Sequence, residues 1–137
     1  MNCVFCEIVR GNEKAEILFE NEDTVSFLDI RPFNFGHALV VSKRHFENFL
    51  EVPPAELKSL INTTQLVTTA IKESLNPDGF NILANNGAAA GQTIFHFHFH
   101  IIPRYKNDDF KFRVNLKQYS NGLMKEVAEK IRNSINS

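Results

Sequence analysis

Along the chain, apolar and polar positions change period several times, and each change marks an element. Residues 17–20 and 24–30, parted by the polar Asn21-Glu22-Asp23, read as a β-hairpin. After a loop over residues 31–36, the nearly all-apolar run 37–42 predicts a third, central strand. A short helix is expected over residues 46–50. From Pro53 to Leu75 the period lengthens to that of a helix, with Leu57, Leu60, Ile61, Leu66, Val67, Ala70 and Ile71 as its apolar stripe. Pro53 and Pro54 suit the first turn of that helix, and Asn76-Pro77-Asp78-Gly79 stops it. Residues 80–84 predict a fourth strand, and residues 120–135 a last helix with Leu123, Val127, Ala128 and Ile131 on one side.

The strictest alternation is Phe95-His96-Phe97-His98-Phe99-His100-Ile101. A strand sends successive side chains to opposite faces, so this segment predicts a fifth strand with His96, His98 and His100 in a row. Phe95, Phe97, Phe99 and Ile101 would line the other face, and Pro103 and Arg104 mark where the strand runs out. The predicted architecture is α+β: one domain over residues 1–137, with a five-stranded antiparallel meander, one long helix and a C-terminal helix. Its core spans about 3–104, and residues 105–137 form an extension.

Composition narrows the picture. The chain has 137 residues, 43% of them hydrophobic and with a formal net charge of −1. That is one soluble domain with a proper core, and no global basic field points to nucleic acid. No apolar run approaches ~20 residues, so no membrane span is expected. The first residues lack a charged region followed by an apolar core, so no secretory signal is expected and the default location is cytoplasmic.

A single histidine on a strand is usually just tolerated, but three in strict alternation call for chemistry. Imidazole titrates near neutrality. A row of imidazoles suits either a catalytic metal or nucleophilic and acid–base work on phosphate. Between the fourth and fifth strands, Asn85 to Thr93 is a run of small and amide-bearing residues next to the histidines. Its glycines free the backbone to turn amide N–H groups towards an anion. Near the start, Cys3 and Cys6 form a CxxC that could be half of a zinc site, a redox pair or coincidence. If zinc binds there, His45 and His96 are the available further ligands. Phe33 or Phe35 could stack on a substrate, but among 13 phenylalanines core packing is the default.

The run His96 to Ile102, together with Leu28-Asp29-Ile30, Gly36-His37, Val40-Val41, Asn85-Asn86-Gly87 and Gly91-Gln92-Thr93, resembles the histidine triad (HIT) family in an ordered match from about Cys3 to Arg104. The resemblance implies a HIT-like fold, commonly a homodimer whose sheets join. It also implies a nucleotide-binding enzyme that hydrolyses or transfers nucleoside monophosphate groups. His98 would be the nucleophile on the α-phosphorus, with His100 and His37 contacting phosphate or orienting His98. Asn85, Gly91, Gln92 and Thr93 would surround the phosphate, Asp29 would hold the ribose hydroxyls, and Phe27 and Ile30 would wall the base. The ligand would be a purine nucleotide or conjugate, and no metal would be required for the chemistry. Several prokaryotic members are similar in carrying CxxC with two histidines, which here implies structural zinc on Cys3, Cys6, His45 and His96.

Asn85 resembles the Hint-type phosphoramidases, whereas His100-Ile101-Ile102-Pro103-Arg104 resembles the strand end of Fhit-type dinucleoside polyphosphate hydrolases. The expected function is cleavage of nucleoside monophosphate conjugates such as phosphoramidates, with dinucleoside polyphosphate hydrolysis as the alternative. A catalytic zinc hydrolase using His96, His98 and His100 lacks a flanking carboxylate base. Two other rivals are a non-catalytic nucleotide-binding interaction protein and a DNA-end repair enzyme of the aprataxin type.

Overall fold

The computed structural model describes residues 3–137. The order is α1 (Val4–Arg10), β1 (Ile17–Glu20), β2 (Thr24–Leu28), β3 (Ala38–Ser42), α2 (Pro54–Leu75), β4 (Gly79–Leu83), β5 (His98–Arg104) and α3 (Leu123–Ile135). Short 3-10 turns lie at Phe49–Glu51, where a helix is predicted over 46–50, and at Ala88–Ala90. Pro54 opens α2, where its missing N–H costs nothing, and Asn76 ends it in the left-handed region at φ 48°.

The five strands form one antiparallel sheet in the order β1-β2-β3-β5-β4. The first three are the expected meander, but β5 lies between β3 and β4. The reason is the connection. Helix α2 carries the chain back across the sheet, so β4 runs parallel to β3, and β5 fills the slot antiparallel to both. One face, with Ala38, Val40 and Ile101, packs on Leu60, Val67 and Ile71 of α2. The opposite face, with Val25, Phe27, Leu39 and Val41, meets Phe5 and Cys6 of α1 and Cys3, which caps that helix.

Three expectations are corrected. The buried stripe of α2 includes Thr63, Thr64 and Thr68, while Ile61 and Leu66 face outwards. The threonines can be buried because their hydroxyls are satisfied. Thr63 bonds Thr24 at 2.7 Å, and Thr64 and Thr68 donate to carbonyls one turn back. Secondly, β5 starts at His98, not Phe95, and continues through Pro103 and Arg104. Its partner β3 ends at Ser42, so Phe97 N–H bonds Phe46 O (2.7 Å) instead. Beyond Ile101 only β4 flanks β5, leaving Pro103 opposite no β3 residue. Thirdly, Phe33 and Phe35 are not core residues, at 55% and 88% exposed. The apolar side of α3 is real, but no residue of that helix is fully buried.

Candidate active site and metal centre

The late start of β5 splits the histidine row. His98 and His100 pair with Val41 and Leu39 and share their face, away from α2. His96, in the bend before the strand, turns towards the cysteines. Three imidazoles converging on one catalytic metal is therefore not the arrangement present.

Over His98 and His100 opens a cleft of about 560 Å³. Phe27 and Leu39 line its apolar end with Asp29 and Ile30, while Asn85, Gly91 and Thr93 line it from the β4–β5 loop. Phe27 is buried, whereas Ile30 is 87% exposed and stands at the rim. Gln92 alone of the predicted phosphate neighbours does not line the cleft. It is buried, its Oε1 accepting Gly87 N–H (2.8 Å) and its Nε2 donating to Glu47 O (2.7 Å). It braces the loop from behind. Missing from the sequence reading are Val4, Phe5 and Ile8 of α1, which form a further wall. The position of Phe5 between the two cysteines is the only sequence signal for them.

Hydrogen bonding settles the tautomers. A backbone N–H can only donate, so the Phe33 N–H (3.1 Å) makes His37 Nδ1 an acceptor. Neutral His37 must then carry its proton on Nε2 and donate it to His100 Nδ1, 2.9 Å away. His100 in turn carries its own proton on Nε2. His98 Nδ1 lies 2.7 Å from His96 O, which only accepts, so His98 keeps a free lone pair on Nε2. Burial lowers the pKa of His37 and His98. Burial and the neighbouring His98 and His37 push His100 down to about 4. The trio is neutral at pH 7: one imidazole ready to attack, one N–H ready to donate. Asp29 Oδ2 lies 3.7 Å from His37 Nε2, while its Oδ1 accepts Arg31 N–H at 2.9 Å. Gly36 delivers the chain into His37 at φ +95°. That left-handed backbone strains any residue with a Cβ, which would also have to displace the tip of Leu75, so glycine is strongly favoured there.

Behind this site, the donor atoms of Cys3, Cys6, His45 and His96 all lie within 4.8 Å of one another. His96 Nδ1 is 3.4 Å from Cys3 Sγ and 3.2 Å from His45 Nδ1, and Cys6 Sγ is 3.4 Å from His45 Nδ1. Tetrahedral zinc with bonds of ~2.0–2.3 Å separates its ligands by ~3.3–3.8 Å, so the set fits. His96 Nε2 donates to Ser42 O (2.7 Å), which turns an unprotonated Nδ1 towards the sulfurs. The Cys6 thiol is pushed up by burial and by Cys3, a penalty that a cation would reverse.

No helix among the described residues is long and apolar enough to cross a membrane. The model of the HIT domain matches residues 10–107. The chain is 39% identical to the adenylylsulfatase HINT3 of Arabidopsis thaliana over 128 residues, 93% of this chain and 65% of that protein. Among solved structures, a HIT family protein from Bacillus anthracis superposes with a TM-score of 0.89 at 39% identity, covering 97% of this chain and 96% of the other. A zinc-bound histidine triad family protein from Mycobacterium smegmatis superposes with a TM-score of 0.77 at 37% identity, covering 98% of both.

Proposed function

This chain belongs to the HIT family of nucleotide-binding hydrolases and transferases, and we propose that it cleaves nucleoside monophosphate conjugates through a nucleotidyl-His98 intermediate. The pair of pinned tautomers carries this reading. His98 Nε2 attacks the α-phosphorus, and the bond to the departing group breaks with its electron pair leaving on that group. The His100 Nε2–H and backbone N–H groups of the loop 85–93 meet the charge that develops on the phosphate oxygens. Water then displaces His98 and releases the nucleoside monophosphate. Asp29 binds the ribose hydroxyls, and Phe27, with Ile30 at the rim, holds a purine. Asn85 and Thr93 contact the phosphate, and the Gly91 backbone lets it come close. Gln92 positions the loop.

The same reading places zinc on Cys3, Cys6, His45 and His96, where it would tie α1 to the segments before α2 and β5 without taking part in the displacement. The Mycobacterium smegmatis structure, described as zinc-bound, supports this, as does the fit of the donor set. Assembly as a homodimer and a cytoplasmic location complete the proposal.

The test is a comparison of rates on an adenosine phosphoramidate, adenylyl sulfate and a diadenosine polyphosphate, for wild type and His98→Ala, in chelator-containing buffer. The phosphoramidate should turn over fastest, and His98→Ala should lose at least ~10³-fold while still binding AMP. An active His98→Ala protein would overturn the mechanism. Preference for the dinucleotide would move the substrate class and keep the nucleophile.

A further inference from the structure

We propose that Asp108, in the segment after β5, is a positioning residue for the reaction: it anchors the loop whose Phe33 amide sets the tautomer of His37. This inference rests on the nucleotidyl-histidine reading above.

Asp108 lies outside the cleft. Its carboxylate accepts four hydrogen bonds: from Arg104 Nη2 on Oδ1 (2.9 Å), and on Oδ2 from Arg104 Nε (2.9 Å), Asn34 Nδ2 (3.0 Å) and the Tyr105 N–H (3.0 Å). The bidentate fork fixes the guanidinium plane, and Nη1 is held by Asn81 Oδ1 at 2.7 Å. That plane lies 4.6 Å above the Phe110 ring, which Arg104 also holds through the Phe110 carbonyl. The Phe110 ring packs 4.6 Å from Phe33, and Phe33 lies nearly parallel to the His37 imidazole at 5.2 Å and 16°. A second route runs through Asn34. Its side-chain Nδ2 donates to both Asp108 Oδ2 and Pro103 O (2.8 Å), and its backbone carbonyl accepts the His37 backbone N–H (3.0 Å).

Both routes end on the loop between β2 and β3, and that loop holds the one donor that forces His37 Nδ1 to accept. If Phe33 moves away, His37 can protonate on Nδ1, His100 loses the proton offered to its own Nδ1, and its Nε2–H is no longer guaranteed. Asp108 touches neither substrate nor reacting atoms. It acts by holding Phe33 in place. An anchor of structural value alone would add stability without touching the histidines. The relay from Asp108 to His37 makes the catalytic tautomer depend on it.

The experiment combines kinetics with imidazole ¹H–¹⁵N correlation spectroscopy of zinc-loaded wild type, Asp108→Asn and Phe110→Ala. In wild type, His37 should be Nε2-protonated. In both variants a mixed His37 tautomer and a fall in kcat of about tenfold are expected, with KM within about twofold. Phe110 is only half-buried, so its variant should fold even if Asp108→Asn does not. A His37 spectrum identical to wild type in a folded variant, or kcat loss that only tracks the unfolded fraction, would overturn the proposal. A shifted tautomer in a protein that cleaves no nucleotide conjugate would uphold the anchoring and sink the functional reading instead.

Discussion

At the scale of single residues, the site is decided by which atoms can only donate and which can only accept. The Phe33 N–H and the His96 carbonyl each allow one tautomer of their histidine, and the two choices leave a free nitrogen lone pair beside an N–H donor. Keeping these imidazoles neutral has a cost that pH reveals. His100 is pushed down to about 4 from the ordinary 6.5 by burial, then by His98 and His37. Above pH 6.5 both folded and unfolded chains hold it neutral. As pH falls from 6.5 towards 4, the unfolded chain takes up a proton that the folded one refuses, so stability drops across that window. By pH 5 the loss should reach about 2 kcal/mol. Urea denaturation at pH 7.5 and pH 5 should show it in wild type, with the decline smaller by that amount in His100→Gln. Equal declines in the two proteins would mean that His100 does not carry this penalty.

At the scale of elements, α1 is the least self-sufficient. Its seven residues are too few for a stable isolated helix, and Cys3 caps it by accepting the Cys6 N–H at 3.4 Å. What holds it is the Cys/His cluster and Phe5, which packs edge-on to His98 at 5.0 Å and to Phe27 at 5.5 Å. The element that, with its cap, supplies two of the four candidate metal ligands is thus also a wall of the cleft. Replacing Cys3 and Cys6 together by Ser should abolish stoichiometric zinc, lower Tm, and raise KM for the nucleotide more than it lowers kcat. Metal analysis with steady-state kinetics checks this. A double variant that still binds one zinc per chain would refute the ligand set.

At the scale of the whole molecule, β4 is an edge strand whose outer side pairs with no other strand among the described residues, and Phe80 and Ile82 on it are exposed. An open edge with apolar side chains invites pairing with a second copy, as a homodimer with joined sheets requires. Sedimentation equilibrium should give twice the 15.7 kDa chain mass, and Ile82→Lys should shift it towards the monomer. A wild-type monomer at micromolar concentration would remove the homodimer from the proposal.

Much of this was already written in the chain. Hydrophobic period and turn residues located every strand and the long helix to within a few residues, because period and punctuation are local properties. The spacing of the histidines narrowed the chemistry to a metal or to work on phosphate, and ordered blocks of residues pointed to the family. Tertiary structure alone decided that the histidine row breaks. His96 leaves the strand because β3 ends at Ser42, and the strand length of a partner is not written in the sequence of the strand it pairs with. For the same reason Gln92 turned out to be a brace and Phe33 a lid on His37. Period two told which faces side chains could take. Only the packed neighbours, through their available donors and acceptors, determined what each side chain does there.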